Sequence, residues 1–165
     1  MKPDRHGSAV VEFPNELEIV ITRQFDAPIA LVFDVFTNPE HVRRWGATPP
    51  DEMTECSIDL RVGGDYRSSF VTEDGTVCSF TGTYLEIEAP RRTVQTWLFE
   101  GWPDAPAVET MQLDEIDGVT TLTWRLMFRD KAGRAHMTRF DGQQDSLDAI
   151  EDILGSLLDA KEPVS

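Results

Sequence analysis

The 165 residues suit a single domain, and 40% apolar with 27% charged residues is typical of a globular protein. The net charge of −15 would repel phosphate backbones and anionic lipids, so nucleic acids and membrane surfaces are excluded as expected partners. No stretch is long and apolar enough to cross a membrane, and residues 1–15 lack the apolar block of a secretory signal. We therefore expect a cytoplasmic protein.

The two cysteines and three histidines do not indicate a metal site. Cys56 and Cys78 are isolated in sequence, which predicts reduced, structural thiols, although a disulfide between them is an open alternative. No histidine has a second ligand at metal-binding spacing. The sequence predicts neither a metal nor a cofactor.

The first predicted elements are a strand and two short helices. Residues 1–15 are polar and are predicted to form a flexible leader or a partly ordered arm. Residues 16–25 alternate as a strand does. The sequence Asp26-Ala27-Pro28 then predicts a helix start, with a capping carboxylate and a proline in the first turn. A similar start after Asn38 predicts a second short helix over Pro39–Trp45.

The middle of the chain predicts strands joined by tight turns. The Asp74-Gly75 and Asp117-Gly118 pairs are hairpin signals. Because adjacent runs are joined by short turns, an antiparallel meander is expected. The predicted strands are residues 53–60, 66–72, 78–87, 93–99, 108–116 and 119–128.

The last predicted element is a long amphipathic helix over residues 135–160. A polar residue, Gln144, lies within its apolar stripe and needs a hydrogen-bond partner. The pattern favours an α+β domain over residues 16–160, in which a curved antiparallel sheet wraps around the C-terminal helix. Residues 161–165 form a tail. The stripe consists of Met137, Phe140, Gln144, Leu147, Ile150, Leu154 and Leu157.

An ordered set of short motifs resembles the START-like (SRPBCC) superfamily, in the branch of homologues of the C-terminal domain of the heat-shock-protein ATPase activator. The resemblance covers residues 16–160 and implies a helix-grip fold with a deep cavity between sheet and helix. It implies no reaction, because members include carriers, cyclase-type enzymes, receptors and co-chaperone domains. The motifs are Asp26-Ala27-Pro28, Thr37-Asn38-Pro39-Glu40 leading to Trp45, residues 59–66, Asp74-Gly75-Thr76, residues 80–87 ending in Pro90-Arg91-Arg92, and residues 119–124.

Large aromatic side chains could project onto the concave face of this sheet and line the cavity. The same side chains could also fill the space as a solid core. Tyr84, Gln95, Arg125 and Gln144 are polar side chains that could orient a ligand, although alternation puts Arg125 opposite Trp124. The predicted ligand-binding residues are Trp45, Phe70, Phe80, Tyr84, Trp97, Met111, Trp124, Phe140 and Gln144.

No catalytic constellation is assigned, and the weak catalytic candidates are Glu86, His41 and Tyr84. Glu86 shares the alternation of Phe80 and Tyr84, so it would be a buried general base if that face points inward. The plainer interpretation is a salt bridge to Arg61, Arg91 or Arg92. For His41 the plainer interpretation is a surface or capping role.

Three functions remain as hypotheses. The first is a binding protein for a small hydrophobic or amphipathic molecule, which the aromatic wall favours. The second is an enzyme of the cyclase, dehydratase or hydrolase kind, and the third is a co-chaperone-like interaction domain. A monomer or a homodimer is expected.

Overall fold

An antiparallel sheet is the main feature of the computed structural model, which describes residues 4–137 and 143–161. Within these residues the strands are β1 (Val10–Glu12), β2 (Glu18–Phe25), β3 (Glu52–Ile58), β4 (Asp65–Val71), β5 (Val77–Glu88), β6 (Arg92–Phe99), β7 (Ala107–Ile116) and β8 (Val119–Phe128). The helices are α1 (Ile29–Thr37), α2 (Pro39–Trp45), α3 (Lys131–Met137) and α4 (Gln143–Lys161).

The strand order is β1-β2-β8-β7-β6-β5-β4-β3, and each neighbouring pair is antiparallel. Strands β3 to β8 therefore form the expected meander, and β2 extends the sheet beside β8. Asp117 and Gly118 join β7 to β8 with φ of 52° and 80°, as a two-residue type I′ turn requires. The predicted helix-grip α+β fold is confirmed.

The two short helices begin in different ways. Helix α2 has the predicted bounds, and the side chain of Asn38 caps it by accepting a hydrogen bond from the N–H of Glu40 at 3.0 Å. The N-cap of α1 is Pro28, which has no side-chain cap. The N–H of Ile29 instead donates to Glu115 Oε1 at 2.7 Å, so a side chain from β7 satisfies the start of α1.

The predicted capping role of Asp26 is therefore wrong. Its carboxylate accepts hydrogen bonds from the guanidinium of Arg5, at 2.9 Å from Nε and 3.0 Å from Nη2. A bidentate pair of this kind is stronger than a neutral cap, because both partners are charged.

Helix α4 packs across the sheet through the predicted apolar stripe. Leu147, Ile150 and Leu154 are buried, and Ile153 is buried beside them. Helical structure begins at Lys131, four residues before the predicted start. Residues 138–142 lie outside the described residues.

A buried ionic contact fixes α4 to β2. The side chain of Arg23 is 0% exposed, and its Nη2 lies 3.0 Å from Asp148 Oδ1. Its Nη1 lies 3.4 Å from Glu151 Oε2 and donates to the carbonyl of Gln24 at 2.7 Å. A buried cation is tolerated only with such partners.

The described part of the N-terminal arm packs on β2 and α4, as the second of the two alternatives for residues 1–15 implies. Strand β1 pairs with β2, and the N–H of Gly7 donates to Asp148 Oδ1 at 2.9 Å. The amide of Gln144 accepts from the N–H of Ala9 at 3.2 Å and donates to its carbonyl at 2.7 Å. The polar residue in the α4 stripe thus has its partner in the arm.

A contact at Gly82 joins two parts of the sheet. Tyr66 of β4 lies opposite Gly82 of β5, and its hydroxyl donates to the carbonyl of Thr96 in β6 at 2.9 Å. A Cβ at position 82 would lie 2.6 Å from the Tyr66 hydroxyl oxygen and would overlap the Thr96 carbonyl. The missing side chain therefore makes room for the tyrosine.

We expect Gly82→Ala to lower the free energy of unfolding by about 1–3 kcal/mol, because the added methyl group displaces Tyr66 or separates β5 from β6. The matched control is Gly155→Ala in α4, where a Cβ meets nothing within 4 Å. That change should raise the free energy of unfolding by up to about 1 kcal/mol. Urea denaturation measures both. A Gly82→Ala variant as stable as wild type would contradict this role.

Candidate functional site

An interior cavity of about 260 Å³ lies between the sheet and helices α1, α2 and α4. An adjoining recess of about 70 Å³ extends along β6 and β7. The exposed residue Ser57 lines the cavity, so the cavity reaches the surface at β3. Its aromatic lining consists of Phe36, Trp45, Tyr66, Phe80, Tyr84, Trp97 and Trp124.

The structure brings together most of the predicted aromatic wall. Phe70 lies behind that wall, with its ring stacked on Phe80 at 6.0 Å between centroids. Met111 lines the recess. The candidate Phe140 lies outside the described residues. The predicted residues that line the main cavity are Trp45, Phe80, Tyr84, Trp97 and Trp124.

Two predicted polar contacts to a ligand are not found at the cavity. Gln144 is used to hold the N-terminal arm, and Ser146 is the α4 residue that lines the cavity. Arg125 is exposed and forms an ion pair with Glu18, as its alternation opposite Trp124 had indicated.

Glu86 is exposed, because a β-bulge changes the alternation of β5. Tyr84 pairs with Gln95, but Glu86 pairs with the next residue back, Val94. The extra residue, Leu85, turns Glu86 outward, since a shift of one position moves a side chain to the other face. Its carboxylate lies 3.8 Å from Arg92 Nη2. This salt bridge is the plainer of the two interpretations made from sequence.

The second catalytic candidate, His41, is not among the residues that line the cavity. Its Nε2 lies 3.3 Å from Asp34 Oδ2, so it joins α2 to α1. Of the three catalytic candidates, only Tyr84 faces the cavity. Burial, with a smaller contribution from the charge of Glu109, raises the pKa of Tyr84, so its hydroxyl stays protonated at neutral pH.

The central polar group of the cavity is a carboxyl that the sequence analysis missed. Glu109 is 7% exposed, and it lies in a row across three strands in which Tyr84 pairs with Gln95 and Gln95 pairs with Glu109. Gln95 Nε2 donates to Glu109 Oε1 at 2.7 Å, and Trp124 Nε1 donates to Glu109 Oε2 at 2.7 Å. Each carboxyl oxygen therefore accepts one hydrogen bond.

Burial raises the pKa of Glu109, because the charged form loses its hydration, and the hydrogen bonds from Gln95 and Trp124 oppose this only in part. The side-chain oxygen of Gln95 is buried and has no hydrogen-bond donor in the described part of the chain. The site thus presents hydrogen-bond acceptors to the cavity.

The sequence did contain a signal for Glu109. It alternates with Met111, which was predicted to line the cavity, and with the apolar Leu113, and all three are buried. A carboxylate at an inward position of a strand is unusual enough to indicate a site.

The other charged side chain of the cavity lies at its edge. Arg67 is partly exposed, and its guanidinium already forms ion pairs with Glu55 and Glu100. Cys56 is buried, and burial raises its pKa, so it also adds no charge at neutral pH. Among the described lining residues, Glu109 therefore has no cation beside it.

An open cleft of about 850 Å³ lies on the other side of the sheet, where β4 to β8 present outward residues such as Thr81, Val108 and Met127. Four residues line both spaces: Ser57, Tyr66, Arg67 and Trp97. The inner cavity is the better candidate site, because the buried carboxyl of Glu109 lines it together with Gln95, whose buried amide oxygen has no donor among the described residues.

The described residues show neither a metal-binding cluster nor a membrane-spanning helix. Within residues 4–137 and 143–161, no group of three or more His, Cys, Asp or Glu side chains could hold a metal ion. None of the described helices has the length and apolar character needed to span a bilayer.

The raised pKa of Glu109 predicts a pH-dependent stability. A carboxyl whose pKa is raised by folding adds to the free energy of unfolding. This contribution is complete below the ordinary pKa of about 4.3 and is lost as pH rises through the raised pKa. Replacement by Gln removes this titration. The free energy of unfolding of wild type should therefore fall relative to Glu109→Gln with rising pH, by about 1.4 kcal/mol for each unit of pKa shift.

Urea denaturation between about pH 4 and pH 9 measures this difference. The matched control is Glu86→Gln, which changes an exposed carboxylate on the same sheet. A constant difference between wild type and Glu109→Gln across that range would contradict the raised pKa.

Comparison with known proteins agrees with this architecture. The family model described as Activator of Hsp90 ATPase homolog 1-like protein matches residues 26–155. An uncharacterized protein of Schizosaccharomyces pombe, C1711.08, is 32% identical over 117 residues, which are 70% of this chain and 31% of that protein. The chain thus spans less than a third of that relative's length.

Solved structures with lower identity share the fold. A protein from Rhodobacter sphaeroides superposes with a TM-score of 0.80 at 19% identity, over 92% of this chain and 99% of that chain. Protein Ms6760 from Mycobacterium smegmatis superposes with a TM-score of 0.77 at 19% identity, over 94% and 99%. With the family match, these results confirm the START-like (SRPBCC) resemblance: the chain belongs to the family of Activator of Hsp90 ATPase homolog 1-like proteins.

Proposed function

We propose that this protein binds a small hydrophobic or amphipathic molecule in the cavity between the sheet and α4. The observation that carries the proposal is the pairing of an aromatic wall with a buried carboxyl, Glu109, and an amide oxygen on Gln95 that has no donor among the described residues. Concave apolar sites with a few polar groups are the usual form of ligand pockets.

The size of the cavity limits the ligand. Its volume of about 260 Å³ is slightly below the range of about 300–1,000 Å³ for sites of drug-sized molecules. A single aromatic ring with a short polar substituent suits this volume better than a phospholipid does.

Binding is favoured over catalysis by the positions of the titratable groups. His41 and Glu86 are not in the cavity, and Tyr84 keeps its proton at neutral pH. Among the described lining residues, Glu109 has no neighbouring histidine and no second carboxylate, which are the partners that acid–base catalysis commonly uses.

The test compares ligand binding by wild type with ligand binding by a variant in which a larger side chain fills the cavity. A panel of small aromatic molecules, neutral, cationic and anionic, is titrated while tryptophan fluorescence and Tm are recorded, since Trp45, Trp97 and Trp124 line the site. Ser146→Phe places a ring at the α4 side of the cavity and should weaken binding at least about tenfold, because it occupies the ligand's volume.

The matched control is Ser156→Phe, at an exposed position of the same helix, which should bind the panel as wild type does. The proposal is contradicted if no member of the panel shifts Tm or tryptophan fluorescence at concentrations up to about 1 mM. It is also contradicted if Ser146→Phe and Ser156→Phe bind equally well.

A further inference from the structure

The polar groups around Glu109 are arranged for an ionised carboxylate. Both carboxyl oxygens accept hydrogen bonds, one from the amide of Gln95 and one from the indole of Trp124. Hydrogen bonds of this direction stabilise the charged form. Yet no Lys, Arg or His among the described lining residues lies beside this carboxyl.

The same domain shows how a buried charge is normally satisfied. The buried guanidinium of Arg23 has two carboxylates, Asp148 and Glu151, within 3.4 Å. Glu109 is at least as buried as those two carboxylates, and its donors among the described residues, Gln95 and Trp124, are neutral. The component missing at Glu109 is therefore a cation.

Two other features of the cavity suit a cation that donates hydrogen bonds. The oxygen of Gln95, which is 8% exposed, has no donor among the described residues. Trp45, Trp97 and Trp124 line the space, and the faces of indole rings attract ammonium groups. The net charge of −15 would also raise the local concentration of cations.

We propose that the ligand is a small hydrophobic amine, whose ammonium group pairs with Glu109 and donates to Gln95 while its apolar part packs on the tryptophans. This inference rests on the proposed function, since it names the ligand class of the same cavity. A neutral alcohol would leave the carboxylate without a counterion, and an anion would face it directly.

The affinity for the amine should depend on pH in a defined direction. Because the amine needs an ionised Glu109, its affinity should increase as pH rises through the pKa of that carboxyl, until the amine loses its own proton near about pH 10. The other titratable groups of the cavity are Tyr66, Tyr84 and Cys56, and burial keeps these neutral across this range. Arg67 is paired at the edge.

The experiment compares 2-phenylethylamine with 2-phenylethanol and 3-phenylpropanoate, which differ in charge but share the phenyl group. Isothermal titration with the full chain at about pH 5 to 8 should show the amine binding at least about tenfold more tightly than the alcohol at the upper end, with the acid weakest. In Glu109→Gln that preference should disappear, and in the control Glu86→Gln it should remain.

The outcomes separate this inference from the proposed function. If the alcohol binds as tightly as the amine, or if Glu109→Gln keeps the preference, the amine assignment is overturned while a hydrophobic binding site stands. If members of the aromatic panel bind but the amine does not, the assignment is also overturned. If nothing in the panel binds, the proposed function fails. Should Glu109→Gln not fold, the pH profile of wild type decides: an amine affinity that does not rise with pH overturns the assignment.

Discussion

A carboxyl group held away from water, among aromatic side chains, is the constraint on which the site of this domain depends. Glu109 belongs to a row in which side chains from β5, β6 and β7 lie side by side, so its position follows directly from strand register. Trp124 reaches it from β8, and the hydrogen bonds hold the carboxyl in one orientation. In β5, the absence of a side chain at Gly82 makes room for Tyr66 of β4, and the bulge at Leu85 directly follows Tyr84.

Arg23 and Glu109 are both buried ionisable residues of the described chain, and they differ in a way that separates structure from function. At Arg23 the charge is balanced by Asp148 and Glu151, so the contact can serve to fix α4 on β2 without any further partner. At Glu109 the charge is not balanced by a cation in the described chain. Natural proteins tolerate such a destabilised group mainly where it serves a function, because stability alone would favour its replacement.

Local signals in the sequence predicted most of the fold. The Asn38 cap before Pro39 and the Asp117-Gly118 turn act within a few residues, so they could be interpreted without tertiary information. The alternation of β5 left an inward and an outward position open for Glu86, because a one-residue bulge reverses alternation and leaves no mark in the pattern. The partner of Gln144 lies in the arm, 135 residues away, and a contact of that length cannot be inferred from helical spacing.

The cavity itself shows where sequence reasoning ends. The aromatic residues Trp45, Tyr84 and Trp97 were predicted as a wall, but whether they enclose space or fill it depends on the curvature of the sheet. The most direct measurement is an NMR pH titration of the Glu109 side-chain carboxyl carbon, assigned by comparison with Glu109→Gln. A midpoint clearly above the ordinary value of about 4.3, which falls when 2-phenylethylamine is added, is the predicted result. A midpoint at or below the ordinary value in the free protein would contradict it.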